Sequence, residues 1–387
     1  MFGIKSFSLT QRAITVAGLG PAALLAYAVH QNITGSASAQ SATVTMPVPQ
    51  RAMPPLPTVP PPASLMAAID SITHSFNGKV GVAVTSVEDG WMASSNGDLK
   101  LPQQSVSKLW VAMTVLDLHD QGRISLDAPL TITKADFTLF HQPIASLVRG
   151  DQGYVTTVGE VMRRALQMSD NTCNDKLLRY VGGPDAVRAF IARKQLGSIR
   201  FGPGERLLQS RTAGLTWKPE YAVGNNFAIA RSKLSPAARL AAYQSYVADP
   251  PDGAAPMAIA NALARLKRGD LLSPESTAWL LETMEAAKTG RARVHAIVPP
   301  GWTYGHKTGT GQDLGGRTAG FNDVGILTAP DGKSYALAVM IGDTARPPQA
   351  RQQLMQAVGA AVVANYRSPT PLAAHASMSA VRAQAAE

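Results

Sequence analysis

Strand-like patterning in this chain is confined to two places separated by about 200 residues of mostly helical periodicity. Residues 80–87 and 91–96 read as a hairpin around Glu88-Asp89-Gly90. Residues 302–307, 320–328 and 334–341 return to β-branched and apolar runs, with Pro330-Asp331-Gly332 as the turn between the last two. Helical patterns occupy 64–76, 109–119, 157–168, 172–181, 184–194, 256–267, 274–287 and about 349–366. A sheet assembled from both ends of the chain constrains the fold strongly. It implies a discontinuous α/β lobe, about 64–130 and 275–368, clasping an all-α lobe of about 131–274. With 387 residues, 45% of them apolar, the chain can bury such a core. No internal repeat is visible.

The flanks read differently. Lys5 and Arg12, the apolar run 13–29 and Ala37-Ser38-Ala39 match an export signal over residues 1–39, so a periplasmic or cell-envelope location is expected. An uncleaved anchor tethering the protein to a membrane is the alternative; at 17 residues the apolar run is short for a span. Residues 40–63 hold eight prolines and read as an extended linker, and residues 369–387 as a disordered tail. The formal charge of +10 contains no run of five or more basic residues, which argues against a nucleic-acid arm. The single Cys173 excludes an internal disulfide framework and, with no His-containing partner motif, reads as a small buried helix residue.

Three motifs carry the chemistry. Ser105-Val106-Ser107-Lys108 puts an amine one helical turn after a hydroxyl. Ser169-Asp170-Asn171 ends a helical pattern, and Lys307-Thr308-Gly309 ends a strand-like one. Alone, each has a bland reading: an N-cap serine, a turn asparagine, an edge-strand lysine. An S-x-x-K is expected about once by chance in a chain this long, but the ordered triplet is not. Lys-Thr-Gly occurs twice. Lys288-Thr289-Gly290 reads as the C-terminal cap of the helix 274–287, which leaves Lys307 as the functional lysine.

In this order the triplet is the signature of class A serine β-lactamases and penicillin-binding proteins, and residues 64–368 resemble that superfamily. The resemblance implies a two-lobe α/β (α+β) fold: a five-stranded antiparallel sheet with flanking helices, plus an all-α lobe. It implies Ser105 as nucleophile, Lys108 as its base, Ser169 as proton relay and Asn171 as holder of the substrate amide. Lys307 and Thr308 would receive the substrate carboxylate, and the backbone N–H groups of Ser105 and Thr310 would form the oxyanion hole. Family members that hydrolyse their acyl-enzyme carry Glu-x-x-Leu-Asn. Glu205-Arg206-Leu207-Leu208-Gln209 matches it with Gln for Asn, 36 residues after Ser169, making Glu205 the water-activating base and Gln209 the second ligand to the water. Glu220, in Trp217-Lys218-Pro219-Glu220, competes for that role. A further cation for the substrate carboxylate is expected at Arg293, with Arg317 the alternative.

The expected function is a serine hydrolase that opens β-lactam rings. A D,D-peptidase acting on peptidoglycan peptides shares every motif except an effective Glu205, and a sensor domain that stays acylated is the non-catalytic rival. The expected partner is a small-molecule β-lactam or a peptidoglycan peptide, the expected form a monomer, and the chemistry needs no metal or other cofactor. Residues 210–255, a long connection rich in aromatics, are expected to roof or reshape the site.

Overall fold

The computed structural model describes residues 59–366. The export-signal reading, most of the proline-rich linker and the C-terminal tail lie outside these residues. Among the described residues no helix is long and apolar enough to cross a membrane.

Five strands form one antiparallel sheet: β1 (Lys79–Ser86), β2 (Met92–Ser95), β3 (Thr303–Thr310), β4 (Phe321–Thr328) and β5 (Ser334–Asp343), in the spatial order β2-β1-β5-β4-β3. The two ends of the chain meet at β1 and β5, where Val82 lies opposite Val339 and Val84 opposite Leu337. Strand alternation divides these residues between two cores. Val82, Val84, Leu337, Val339 and Ile341 pack under helices α1 (Ala63–Ser75) and α11 (Pro348–Ala364), with Leu65, Ile69, Met355 and Val358. Ala83, Ala338 and Met340 face the other way, onto Ile259, Ala260 and Leu263 of a later helix, Pro256–Lys267. Because both faces are covered, the strands read as continuous apolar runs.

The remaining helices run, in chain order, α2 (Lys108–Asp120), α3 (Val158–Gln167), α4 (Asn171–Tyr180), α5 (Pro184–Arg193), α6 (Glu205–Thr212), α7 (Asn226–Ser232), α8 (Pro236–Ala248), α9 (Pro256–Lys267) and α10 (Pro274–Glu285). Helix α2 is enclosed on every side: Leu109, Trp110, Val111, Met113, Val115 and Leu116 are all buried. Each such side chain contributes ~1.5–3 kcal/mol on burial, so the helix that carries the first motif is fixed in the core. The expected helices and strands are present with ends shifted by up to three residues.

The long connection 210–255 is not loop throughout. It holds a 3-10 turn at Pro219–Ala222, then α7 and α8. Ser235 caps α8 by accepting the Ala238 N–H at 3.1 Å, and Pro236 supplies its first turn. Tyr243 and Tyr246, three residues apart on α8, pack with Leu208 of α6 and Ala319.

Candidate active site

The turn that presents Ser105 is strained and strapped from outside. Gln104, just before it, has φ +53°, a conformation that costs a non-glycine residue about 1–3 kcal/mol. Its N–H donates to Asp252 Oδ2 at 2.8 Å, and its Nε2 to Tyr246 Oη at 2.6 Å and Ala319 O at 3.1 Å. On the other side Gln103 donates to Asp252 O at 2.6 Å and accepts from the Trp110 indole at 2.6 Å. Gly309 explains the last letter of Lys-Thr-Gly: a Cβ there would lie 2.3 Å from Gln103 O. Only glycine lets β3 come this close to the serine turn.

Lys108 is the hub. Its ammonium donates to Ser105 Oγ at 2.7 Å and Asn171 Oδ1 at 2.6 Å, and pairs with Glu205 Oε1 at 2.9 Å. Lys108 is 1% exposed and Glu205 3%, so the ion pair is shielded from solvent. Such a pair survives burial only with its remaining donors and acceptors matched. Here Gln209 Nε2 donates to Glu205 Oε2 at 3.2 Å and to Gln104 Oε1 at 3.1 Å. Gln209 Oε1 accepts from Gln312 Nε2 at 3.0 Å. Asp175, inside α4, caps α6 by accepting the Glu205 and Arg206 N–H groups at 2.9 and 3.2 Å. Burial first, and the charge of Glu205 second, raise the Asp175 pKa.

The second motif divides its labour. Asp170 is architectural: it caps α4 at the Cys173 N–H (2.9 Å) and holds the Ile144 N–H (2.7 Å). Asn171 donates through Nδ2 to Leu139 O at 2.8 Å. Ser169, at φ +61°, turns its hydroxyl to Lys307, whose Nζ donates to it at 2.9 Å. Burial, then the charges of Lys108 and Arg293, push the Lys307 pKa well below its ordinary value.

Arg293 lies across the end of β3 and β4. It donates to Gly309 O at 3.1 Å, to Asn322 O and to Thr310 Oγ1 at 2.6 Å, while its guanidinium stacks 3.8 Å from the Phe321 ring centroid. Burial lowers its pKa to about 10, so it stays cationic at neutral pH. Arg317 instead pairs with Asp343 outside this cluster. Glu220 sits on the exposed turn Pro219–Ala222, 3.8 Å from Lys218, and Glu205 alone of the two reaches the hub. Cys173 is buried, and burial pushes its thiol pKa up, away from nucleophilic use.

The second Lys-Thr-Gly corrects the helix-cap expectation. Helix α10 stops at Glu285, and Lys288 donates its N–H to Gln167 O at 2.8 Å beyond the helix end. Thr289 then shares a 2.9 Å hydrogen bond with Thr308 Oγ1, and Thr289 and Gly290 both line the cleft. Sequence reasoning also missed Gln104, Asp252, Asp175 and Gln312; no local pattern distinguishes them.

Ser105, Ser169, Asn171, Gln209, Arg293, Thr308 and Thr310 line one cleft of about 570 Å³. A larger surface groove of about 860 Å³, along Arg188, Gln195 and Phe201, contains none of the motif residues.

Comparisons with known proteins agree with this arrangement. A family model described as the β-lactamase enzyme family matches residues 64–366. The extended-spectrum β-lactamase PER-1 of Pseudomonas aeruginosa is 29% identical, over 76% of this chain and 84% of its own length. The β-lactamase Toho-1 of Escherichia coli is 25% identical, over 77% of this chain and 87% of its own length. Among solved structures, a β-lactamase from Chitinophaga pinensis superposes with a TM-score of 0.64 at 28% identity, covering 78% of this chain and 99% of that one. The TLA-3 extended-spectrum β-lactamase gives 0.64 at 26%, covering 77% and 97%. A chain that builds its serine turn, its two motif lysines and its sheet in this way, and that matches the family over residues 64–366, belongs to the β-lactamase enzyme family, among the class A serine enzymes.

Proposed function

We propose that this enzyme hydrolyses β-lactams in two steps, through an ester on Ser105 that is cleared by a water activated at Glu205. The observation that carries the reading is the single buried amine of Lys108, bonded at once to Ser105 Oγ, Asn171 Oδ1 and Glu205 Oε1 within 2.6–2.9 Å. In this resting geometry Lys108 donates to the serine. Before it can take the hydroxyl proton it must pass one to Glu205, and the 2.9 Å ion pair supplies that route.

Serine Oγ then attacks the lactam carbonyl carbon, and the oxyanion falls to the backbone N–H groups of Ser105 and Thr310. Losing one such donor typically costs ~3–4 kcal/mol of transition-state stabilisation. The C–N bond breaks, and the ring nitrogen takes a proton through Ser169, which Lys307 holds at 2.9 Å. Lys307, Thr308 and Arg293 receive the substrate carboxylate, and Asn171 the side-chain amide. In the second step Glu205, having returned its proton to Lys108, removes a proton from water as the water attacks the ester; the acyl C–O bond breaks, Ser105 Oγ takes a proton from Lys108, and Glu205 passes the water's proton back to Lys108. Gln209 is placed to share that water while Gln312 holds its carbonyl; an amide oxygen accepts two hydrogen bonds.

The test is the lifetime of the penicillin adduct, followed by intact mass. The proposal expects rapid formation and loss of the adduct in the native protein and none in Ser105→Ala. An adduct lasting hours would replace hydrolysis with the peptidase or sensor reading. Labelling of Ser105→Ala would remove Ser105 as nucleophile.

A further inference from the structure

Behind the carboxylate end of the cleft lies a buried polar cluster that the reaction steps above do not touch. Alternation puts Tyr304, His306 and Thr308 on one face of β3 and Lys307 on the other. Asp323 of β4, opposite Thr308 in the register, is 0% exposed. Its Oδ1 accepts from His306 Nδ1 at 2.7 Å and from Tyr304 Oη at 3.3 Å, and its Oδ2 accepts from the Val294 N–H at 3.1 Å. The short contact to a carboxylate assigns the His306 ring proton to Nδ1. Nε2 is then a buried nitrogen with no partner among the described residues. A phenylalanine in this place would bury no such orphan, so the histidine is justified by the donor it offers Asp323.

The same cluster grips the backbone of Arg293 from both sides. On one side the Arg293 N–H donates to Gly290 O at 2.8 Å. Gly290, at φ +77°, lies against the His306 ring: a Cβ there would sit 3.0 Å from His306 Cε1 and 2.4 Å from Thr308 Cγ2. On the other side Val294, the next residue, hangs on Asp323. Burial lowers the Arg293 pKa, and the charge of Asp323 is the first influence opposing it. We propose that His306, acting through Asp323, is a positioning residue that aims Arg293 at the carboxylate on the substrate nucleus. This inference rests on the reading of Arg293 as that carboxylate's anchor and names what holds the anchor in place. A carboxylate fixed by three donors holds one backbone N–H in one position. With a donor removed it turns toward those that remain, and the segment 290–294 shifts with it. A guanidinium binds through planar, directional N–H groups, so it loses more from such a shift than a point charge would.

The experiment compares two penicillins that differ only in whether the nucleus carboxylate is free or methyl-esterified. Acylation is followed by intact mass at several concentrations, which separates the half-saturating concentration from the limiting rate. His306→Phe should raise the half-saturating concentration of the free acid ~3–10-fold, leave its limiting rate nearly unchanged and change the ester little. His306→Asn, whose amide still offers Asp323 an N–H, should recover most of that loss. Tyr304→Phe removes only the longer contact and should shift the free acid in the same direction by less. In an Arg293→Ala background, His306→Phe should have no further effect on the free acid. Thermal melts report the folded fraction, and the ratio of the two compounds is insensitive to it; should His306→Phe fail to fold, Tyr304→Phe carries the test. Equal losses on both compounds, no recovery in His306→Asn, or a loss that persists without Arg293 would overturn the positioning role and leave the hydrolase reading intact. If Arg293→Ala alone weakens both compounds alike, the anchor reading falls and takes this inference with it. If neither compound acylates the native protein, the hydrolase reading falls as well.

Discussion

On the floor of the cleft, Lys108, Glu205, Ser105 and Asn171 close on one another at 2.6–2.9 Å with Glu205 and Lys108 almost out of solvent. Over the roof, α7 is held by two aromatic edges, Phe227 on Phe140 and on Tyr221, and by side-chain hydrogen bonds from Asn226 to Glu220 O and from Arg231 to Asp313 O, and Phe140, Val223, Ile229 and Leu240 remain exposed. The floor's geometry is over-determined, because every ion that moves leaves another buried and unpaired. The roof packs through a small cluster of its own, Phe227 with Leu139 and Ala213, so local opening there costs less than opening the floor. The difference separates a part of the molecule whose charged side chains fix one another's positions from a part whose surface is free to shift.

The sharpest way to break this comparison is to exchange one carboxylate on each side of it. Glu205→Gln on the floor should leave acylation measurable and slow deacylation ~100–10,000-fold, since an amide cannot take a proton from water. Glu220→Gln on the roof should leave adduct lifetime as it is. Trapping by the Glu220 variant instead, in a mass time course, would transfer the role to the roof.

Asp252 tests whether the floor depends on a support beneath it. Burial raises its pKa to about 6 from 3.8, against the Gln104 N–H and Tyr246 hydroxyl, which lower it. The folded protein therefore holds this proton at higher pH than the unfolded chain does. The stabilisation is fully present below pH 3.8 and is lost as pH rises through about 6. Asp252→Asn removes that dependence. The stability difference between native and variant proteins should shrink by on the order of 2–3 kcal/mol between pH 4 and pH 7. Parallel denaturation curves across that range would refute it.

Arg293→Ala probes the floor's far end. KM for substrates with the nucleus carboxylate should rise, with ~1.5–3 kcal/mol of binding lost and a smaller change for analogues lacking that group. Because Gly309 O and Asn322 O also lose a donor, a fall in thermal stability should accompany it. Identical kinetic losses on both substrate types would assign Arg293 a structural role alone.

The smallest effect is expected on the roof itself. Phe227→Ala should speed protease cutting within residues 213–235 while costing the whole fold only ~1–2 kcal/mol, below the ~3–5 kcal/mol of a core phenylalanine. A loss of global stability equal to a core value would mean that the roof and the floor unfold as one unit.

Sequence periodicity alone located the sheet strands, the buried α2 and the helices that follow the second motif, because alternation and 3.6-residue spacing are local signals. The signals for α8 were also local. Ser235-Pro236 is a helix start and Tyr243 with Tyr246 an apolar face, yet loop length and aromatic content led to the expectation of a connection. The second Lys-Thr-Gly misled for a related reason. A basic residue before a glycine resembles a helix end, and only packing on Gln167 and Thr308 shows that the helix has already stopped.

What the sequence determined by itself was the chemistry on offer: a hydroxyl one turn from an amine, a second serine and asparagine, a second lysine, and a carboxylate at the right distance along the chain. Those are covalent facts, readable from spacing. The tertiary structure alone decided which carboxylate meets Lys108, that Asp252 and Tyr246 brace the strained turn at Gln104, and that α7 carries Arg231 across to Asp313. Each of these joins residues dozens to hundreds of positions apart. Such contacts arise from the shared burial of surfaces, and burial is a property of the packed chain rather than of any segment of it.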